Sequence, residues 1–210
     1  MKVALPTVWK TSIYMAVSGS VAIMQSCCAV PATIGPKPPV GQSAPDFTLP
    51  DLDGKDIKLS QFRKKFVVLE WFSDECPFVK KHYSTGNMQA LQKYAQKKGV
   101  VWLTICSSGQ GKPGFHSASE NKEILRKWDA SMKDFLVDAD GNIGRMYGSK
   151  NTPTMFIIDK DGTLVYEGAI DDKPDPFPDS VKTANNYVRA ALDQAMAGEP
   201  IAVSVTKAYG

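Results

Sequence analysis

Residues 66–83 read FVVLEWFSDECPFVKKHY, and this stretch decides the fold. Phe66–Phe72 is a nearly continuous apolar run, the pattern of a strand buried on both faces. Pro77 is a natural first residue of a helix, because the N–H it lacks is one the first turn leaves unpaired anyway. Cys76 is thereby placed at or just before a helix N-terminus. The unpaired amides and the helix dipole there favour thiolate over thiol. Lys80 lies four residues on, so its ammonium reaches the same face, and Lys81 and His82 add positive potential. This context makes Cys76 a candidate nucleophile. The plain alternative is a buried, inert thiol beside a solvated basic run. Glu70 is the second odd residue, a carboxylate inside a run that should be buried. It must find a partner, open to water or hold a proton. Near a thiol it can relay protons during disulfide exchange; the plainer reading is an ion pair with a lysine.

Outward from this stretch the pattern alternates between strand and helix. Asp46–Leu49 and Ile57–Leu59 alternate around an Asp51–Gly54 turn and read as a hairpin. Asn87–Lys98 is helical, with Met88, Leu91, Tyr94 and Ala95 on one stripe and Gly99 as its stop. Val100–Cys106 is a second buried strand, and Glu120–Trp128 a second helix. Met155–Asp159 and Leu164–Glu167 flank an Asp161-Gly162 turn and form a second hairpin. Ser180–Ala197 reads as a closing helix ended by Gly198. Buried strands joined by helices imply an α/β sandwich around a mixed sheet. Three Asp-x-Asp-Gly sequences begin at Asp51, Asp138 and Asp159; their glycine at position four suits ordinary turns, not a calcium loop. Thr152-Pro153 precedes the strand MFIID. A proline there sits at the strand start, where it need not donate to the ladder, and is a candidate for a cis bond.

The chain has 210 residues, 43% hydrophobic and 22% charged, which excludes collagen and a fully disordered chain. The formal charge is +3, and the first 29 residues hold two lysines and no acid. The rest is nearly neutral, with little electrostatic grip on nucleic acid. Lys2 and Lys10 precede the apolar stretch Thr11–Met24, which is short against the roughly 20 residues a spanning helix needs and suits a secretory signal over residues 1–29. Ser26-Cys27 resembles a lipobox, with Cys27 the residue acylated; cleavage after Ala29 is the competing reading. The expected place is extracytoplasmic, with membrane attachment only through the signal or a lipid anchor. Residues 30–40 are a Pro/Gly-rich linker, 41–198 the domain and 199–210 an unassigned tail. Cys76 and Cys106 are the only thiols of the domain. They are either one disulfide, or one reactive and one buried cysteine.

A buried strand, a Cys-Pro at a helix start and a Thr-Pro before a late hairpin together resemble the thioredoxin superfamily. Gly41–Leu49 (GQSAPDFTL) looks like the opening of its alkyl-hydroperoxide-reductase and redoxin group, and CPFVKKHY from Cys76 is similar to a peroxiredoxin-like branch of it. The resemblance implies a thioredoxin-like three-layer sandwich, with a mixed central sheet flanked by helices. It implies a catalytic set of Cys76, Glu70 as proton carrier and Pro153 as the cis-proline, supported by Ser73, Pro77, Lys80 and Thr152. No cofactor or metal is implied. Two departures narrow the chemistry. Val79 replaces the second cysteine of Cys-x-x-Cys, so no local disulfide forms. Leu69 and Ser73 replace the Pro and Thr of the peroxiredoxin motif, and Pro153 falls where peroxiredoxins carry an arginine. The expected activity is thiol oxidoreduction through Cys76. A disulfide-bearing protein or a hydroperoxide would be the substrate. An external thiol or thioredoxin-like reductant, or else Cys106, would resolve the oxidised Cys76. A one-cysteine peroxidase and a redox-inactive module holding a client in the cis-proline groove are the rival readings.

Overall fold

The computed structural model describes residues 1–4 and 37–210. Most of the expected leader, Cys27 and residues 30–36 of the linker lie outside the described residues. The apolar run around Leu69 becomes strand β3 (Val67–Trp71), buried along its whole length. Beside it, β4 (Val101–Cys106) pairs parallel to β3, and β5 (Asp134–Val137) pairs parallel to β4. On the other side, β6 (Thr154–Ile158) is antiparallel to β3, and β7 (Leu164–Gly168) is antiparallel to β6. The sheet order is therefore β5-β4-β3-β6-β7, a mixed sheet with β3 at its centre. A separate short hairpin joins β1 (Thr48–Pro50) to β2 (Asp56–Lys58).

Strand alternation gives the sheet two apolar faces. Val68 and Phe72 face one side, with Trp102 and Cys106 from β4. That side is covered by α1 (Pro77–Ser84), α2 (Asn87–Lys97), α3 (Ala118–Lys127) and α5 (Tyr187–Ala197). Val79, Tyr83, Met88, Leu91, Ile124, Val188 and Leu192 are the residues these helices press onto the sheet. Val67, Leu69 and Trp71 face the other side, under the β1–β2 hairpin and α4 (Asn142–Tyr147). Each fully buried Leu- or Phe-sized side chain stabilises the fold by about 1.5–3 kcal/mol. The expected three-layer α/β sandwich is the architecture observed. Among the described residues no helix is long and apolar enough to cross a membrane.

Three elements differ from the sequence expectation. The closing helix begins at Tyr187, not Ser180; Pro178–Thr183 is a separate 3-10 turn. Two asparagines impose the break. Asn185 donates its backbone and side-chain N–H to Asp172, at 2.9 and 2.6 Å. Asn186 caps α5 by accepting from Arg189 N at 2.8 Å. The helix start at Pro77 and the helix expected over Asn87–Lys98 are both observed, as α1 and α2, with Gly86 in a left-handed conformation between them. Finally, β5 and α4 have no counterpart in the sequence reading. β5 has four residues and depends on pairing with β4. α4 has six, begun by Asp138, whose carboxylate accepts from Ile143 N and Gly144 N. The Asp51, Asp138 and Asp159 sequences form the expected turns, with Asp51 and Asp159 accepting from backbone N–H groups two and four residues on.

Candidate active site

Cys76 is the residue that caps α1, with extended backbone dihedrals, and Pro77 follows as the first helical residue. Its carbonyl accepts the first bond of the helix, from Lys80 N at 2.9 Å, and its N–H donates to Ser73 O at 3.2 Å. The side chain is half-buried and packs against the apolar face under α1 and α2. Its thiol donates to the carbonyl oxygen of Thr152 at 2.9 Å. That carbonyl belongs to the loop before β6, where Thr152–Pro153 is cis. The helix start after β3 and the loop before β6 thus meet at the Cys76 sulfur. A cleft of about 290 Å³ opens beside Thr152, lined by Trp71, Phe72, Ser73, Ser107, Asn151 and Gly210 among others.

Glu70 is fully buried, and among the described residues no ion pair holds it. Oε1 accepts from Tyr83 Oη at 2.9 Å. Oε2 accepts from Trp102 Nε1 at 2.8 Å, Thr104 Oγ1 at 3.0 Å and Gln92 Nε2 at 3.3 Å. Burial pushes the carboxyl up from its ordinary acidity, and these hydrogen bonds oppose the shift. The lysine partner of the plainer sequence reading is replaced by four neutral donors. Thr104 is the residue paired with Glu70 across the parallel β3–β4 ladder. The one polar residue in each of two apolar runs was therefore a signal, legible once the runs are set in register.

Two of the basic groups that follow Cys76, Lys81 and His82, are placed differently from expectation. Lys80 is exposed and lines a cleft with Asp74, Ser84, Lys127 and Trp128. Lys81 is buried, and its ammonium is spent on Lys173 O at 2.7 Å and Asp175 O at 2.9 Å. His82 does not add positive potential, because burial pulls its pKa down to about 4. Asp171 and Asp175 act against that shift and Lys81 with it. Asn87 Nδ2 donates to His82 Nδ1 at 2.8 Å, which leaves Nε2–H toward Tyr209 Oη at 3.4 Å and Asp171. The consequence for stability has a definite sign. The unfolded imidazole binds a proton below about 6.5 while the folded one does not. Stability is therefore complete above pH 6.5 and falls as pH drops toward 4, by about 3 kcal/mol from this residue. Urea titrations from pH 7 to 4 are expected to show that acid limb, and His82→Gln to flatten it. An unchanged limb in the variant contradicts the neutral assignment.

Cys106 ends β4 on the same face of the sheet, and both domain cysteines are free thiols. It is buried, donates to Gly114 O at 3.5 Å, and burial pushes its thiol up. Ser73 sits under the 107–117 loop, close to Gly114. Asp74 Oδ1 lies 2.8 Å from His116 Nε2, a pair the sequence reading did not anticipate. The four arginines of the chain all stand elsewhere. Arg63 donates to Asp161 O, Arg126 pairs with Glu123, Arg145 bonds Asp140 O and Asn142, and Arg189 pairs with Asp193. The tail, left unassigned from sequence, folds back onto this site: Asn151 Nδ2 donates to Gly210 O at 2.8 Å.

The chain is similar to known proteins over most of its domain. Residues 40–167 match the model of the AhpC/TSA family. The thiol-disulfide oxidoreductase ResA of Bacillus thuringiensis subsp. konkukian is 30% identical over 128 residues, covering 61% of this chain and 68% of that protein. An uncharacterized conserved protein from Geobacillus kaustophilus superposes with a TM-score of 0.67 at 26% identity, over 78% of this chain and 85% of its own. A hypothetical protein from Sinorhizobium meliloti 1021 gives 0.65 at 24% identity, over 81% and 92%.

Proposed function

This chain belongs to the AhpC/TSA family and is a thiol-dependent oxidoreductase, and from that premise we propose that it exchanges disulfides through Cys76 alone. One observation carries the reading: the Cys76 thiol stands half-exposed at a helix start, against the Thr152 carbonyl. The Cys76 thiolate attacks one sulfur of a disulfide, forming a mixed disulfide and releasing the other sulfur as a thiolate that takes up a proton. An external thiol or thioredoxin-like reductant then attacks the mixed disulfide, leaves as the new disulfide and returns Cys76 to the thiolate. Val79 stands where a local resolving cysteine would be, so that second step needs an outside thiol. Cys106 is buried and held by Gly114 O, which disfavours it as the resolving group. Glu70 is the proton carrier of this reading, and Pro153 shapes the surface beside the sulfur. Ser73, Pro77, Lys80 and Thr152 are its supporting residues. The basic start and short apolar stretch before residue 30 favour export of the domain, with Cys27 the acylated residue if a lipid anchor is added.

Disulfide exchange is favoured over peroxide reduction because no arginine reaches Cys76. The test compares the rate constants of reduced protein with a small disulfide and with hydrogen peroxide, each against free cysteine. Exchange is expected to exceed free cysteine by about tenfold or more, and peroxide oxidation to stay near it. The reverse pattern would make the protein a one-cysteine peroxidase.

A further inference from the structure

Residues 204–210 are seated along β7, over the start of α1 and against the Thr152 backbone beside Cys76. Ser204 O accepts from Glu167 N at 3.1 Å and Thr206 N donates to Glu167 O at 3.0 Å, so the segment runs as a parallel extension along β7. Thr206 Oγ1 accepts from Ala169 N at 2.8 Å and shares a hydrogen bond with Tyr166 Oη at 2.8 Å. Tyr209 then crosses the first turn of α1. Its ring lies 5.5 Å from the Phe78 ring and 5.5 Å from the Lys81 ammonium. Its hydroxyl donates to Asp171 Oδ1. Beyond it, Gly210 lies flat on the backbone of Thr152. A Cβ at Gly210 would fall 2.0 Å from Thr152 O and 3.1 Å from Thr152 N, at a φ of +146°. Only glycine fits so close an approach. The carbonyl it covers is the one that accepts from the Cys76 thiol.

We propose that residues 204–210 are a built-in occupant of this surface and set the substrate class of Cys76. With the segment in place, the half-exposed sulfur meets small disulfides, while a polypeptide disulfide requires the segment to lift. An extended chain reaching Cys76 beside Thr152 would compete for the Thr152 backbone that Gly210 covers and for the space over Phe78 that Tyr209 fills. The inference rests on the exchange reading above, and names the substrate that reading leaves open. The apparent reactivity toward a polypeptide is then lowered by the fraction of molecules with the segment lifted. A small disulfide needs neither surface.

The full chain, Tyr209→Ala and Gly210→Ala are compared, the last changing only the end of the segment. Each reduced protein is mixed with hydroxyethyl disulfide or with insulin, and formation of the Cys76 mixed disulfide is followed by mass spectrometry. Both variants are expected to react about tenfold faster with insulin and within twofold of the parent with hydroxyethyl disulfide. Unchanged insulin rates in both variants overturn the proposal, as does a parallel rise with both disulfides. Absence of any Cys76 adduct in every protein overturns the exchange reading itself and the proposal with it.

Discussion

Glu70→Ala is expected to lower the free energy of unfolding by about 3 kcal/mol, and Glu70→Gln by less than half of that. The alanine removes the acceptor of four buried donors at once. Among the described residues the Trp102 N–H has no other partner to turn to, whereas Gln92 Nε2 also donates to Tyr83 Oη and the Thr104 and Tyr83 hydroxyls can rotate. Each buried donor left unpaired costs about 1–3 kcal/mol, offset in part by relief of a buried charge. Glutamine keeps one carbonyl oxygen for Trp102, Thr104 and Gln92. Its new NH₂ faces Tyr83 Oη, which already accepts from Gln92 Nε2 at 3.0 Å and can accept a second bond. One hydroxyl proton then loses its partner. For a domain of this size the alanine loss corresponds to a melting temperature about 10 °C lower. Equal destabilisation by alanine and glutamine would mean that the charge itself, not the acceptor geometry, holds the cluster. The same pair separates structure from chemistry. Glutamine cannot carry a proton, so its exchange rate is expected to fall about tenfold or more while its stability stays near that of the parent. A Glu70→Gln protein with full exchange activity would assign Glu70 a purely structural role.

Cys76→Ser is expected to reduce disulfide exchange to the rate of the uncatalysed thiol reaction, with little change in stability. A serine hydroxyl also donates to Thr152 O, so the local hydrogen bond survives while the nucleophile is lost. Cys106→Ser is expected to leave exchange within about threefold of the parent, because the Cys106 thiol is buried and made less acidic by its surroundings. The contrast is read from steady-state reduction of a small disulfide by an external thiol. If Cys106→Ser loses as much activity as Cys76→Ser, the two cysteines act as a pair, and resolution is internal. If neither substitution matters, the fold serves binding and not turnover.

Much of this architecture was legible in the chain because its central strands are extreme. Phe66–Phe72 and Val100–Cys106 are too apolar and too β-branched to be anything but buried strands, and they did become β3 and β4. Pro77 marked the helix start that makes Cys76 a cap. What failed to show were elements whose shape depends on distant partners. β5 and α4 are too short to carry a periodicity. The start of α5 is set by Asp171 and Asp172, more than ten residues away from Asn185 and Asn186. In the candidate site, Cys76, Glu70 and Pro153 stood out by type and context, since each is an odd residue for its position. Lys81 and His82 looked like ordinary surface charge, and only burial reveals one as spent on backbone carbonyls and the other as neutral. The tail carried no signal, because its hydrogen bonds lie with β7 and with the Thr152 loop.

The central claim is that one thiol of this fold reacts, and the direct measurement is to find which. The fully reduced chain is treated with one equivalent of hydroxyethyl disulfide, quenched with acid, digested and mapped by mass spectrometry. The account predicts that, between the two domain cysteines, the adduct lies on Cys76 and Cys106 stays free. An adduct on Cys106 with Cys76 untouched, or a domain that forms none, would contradict it.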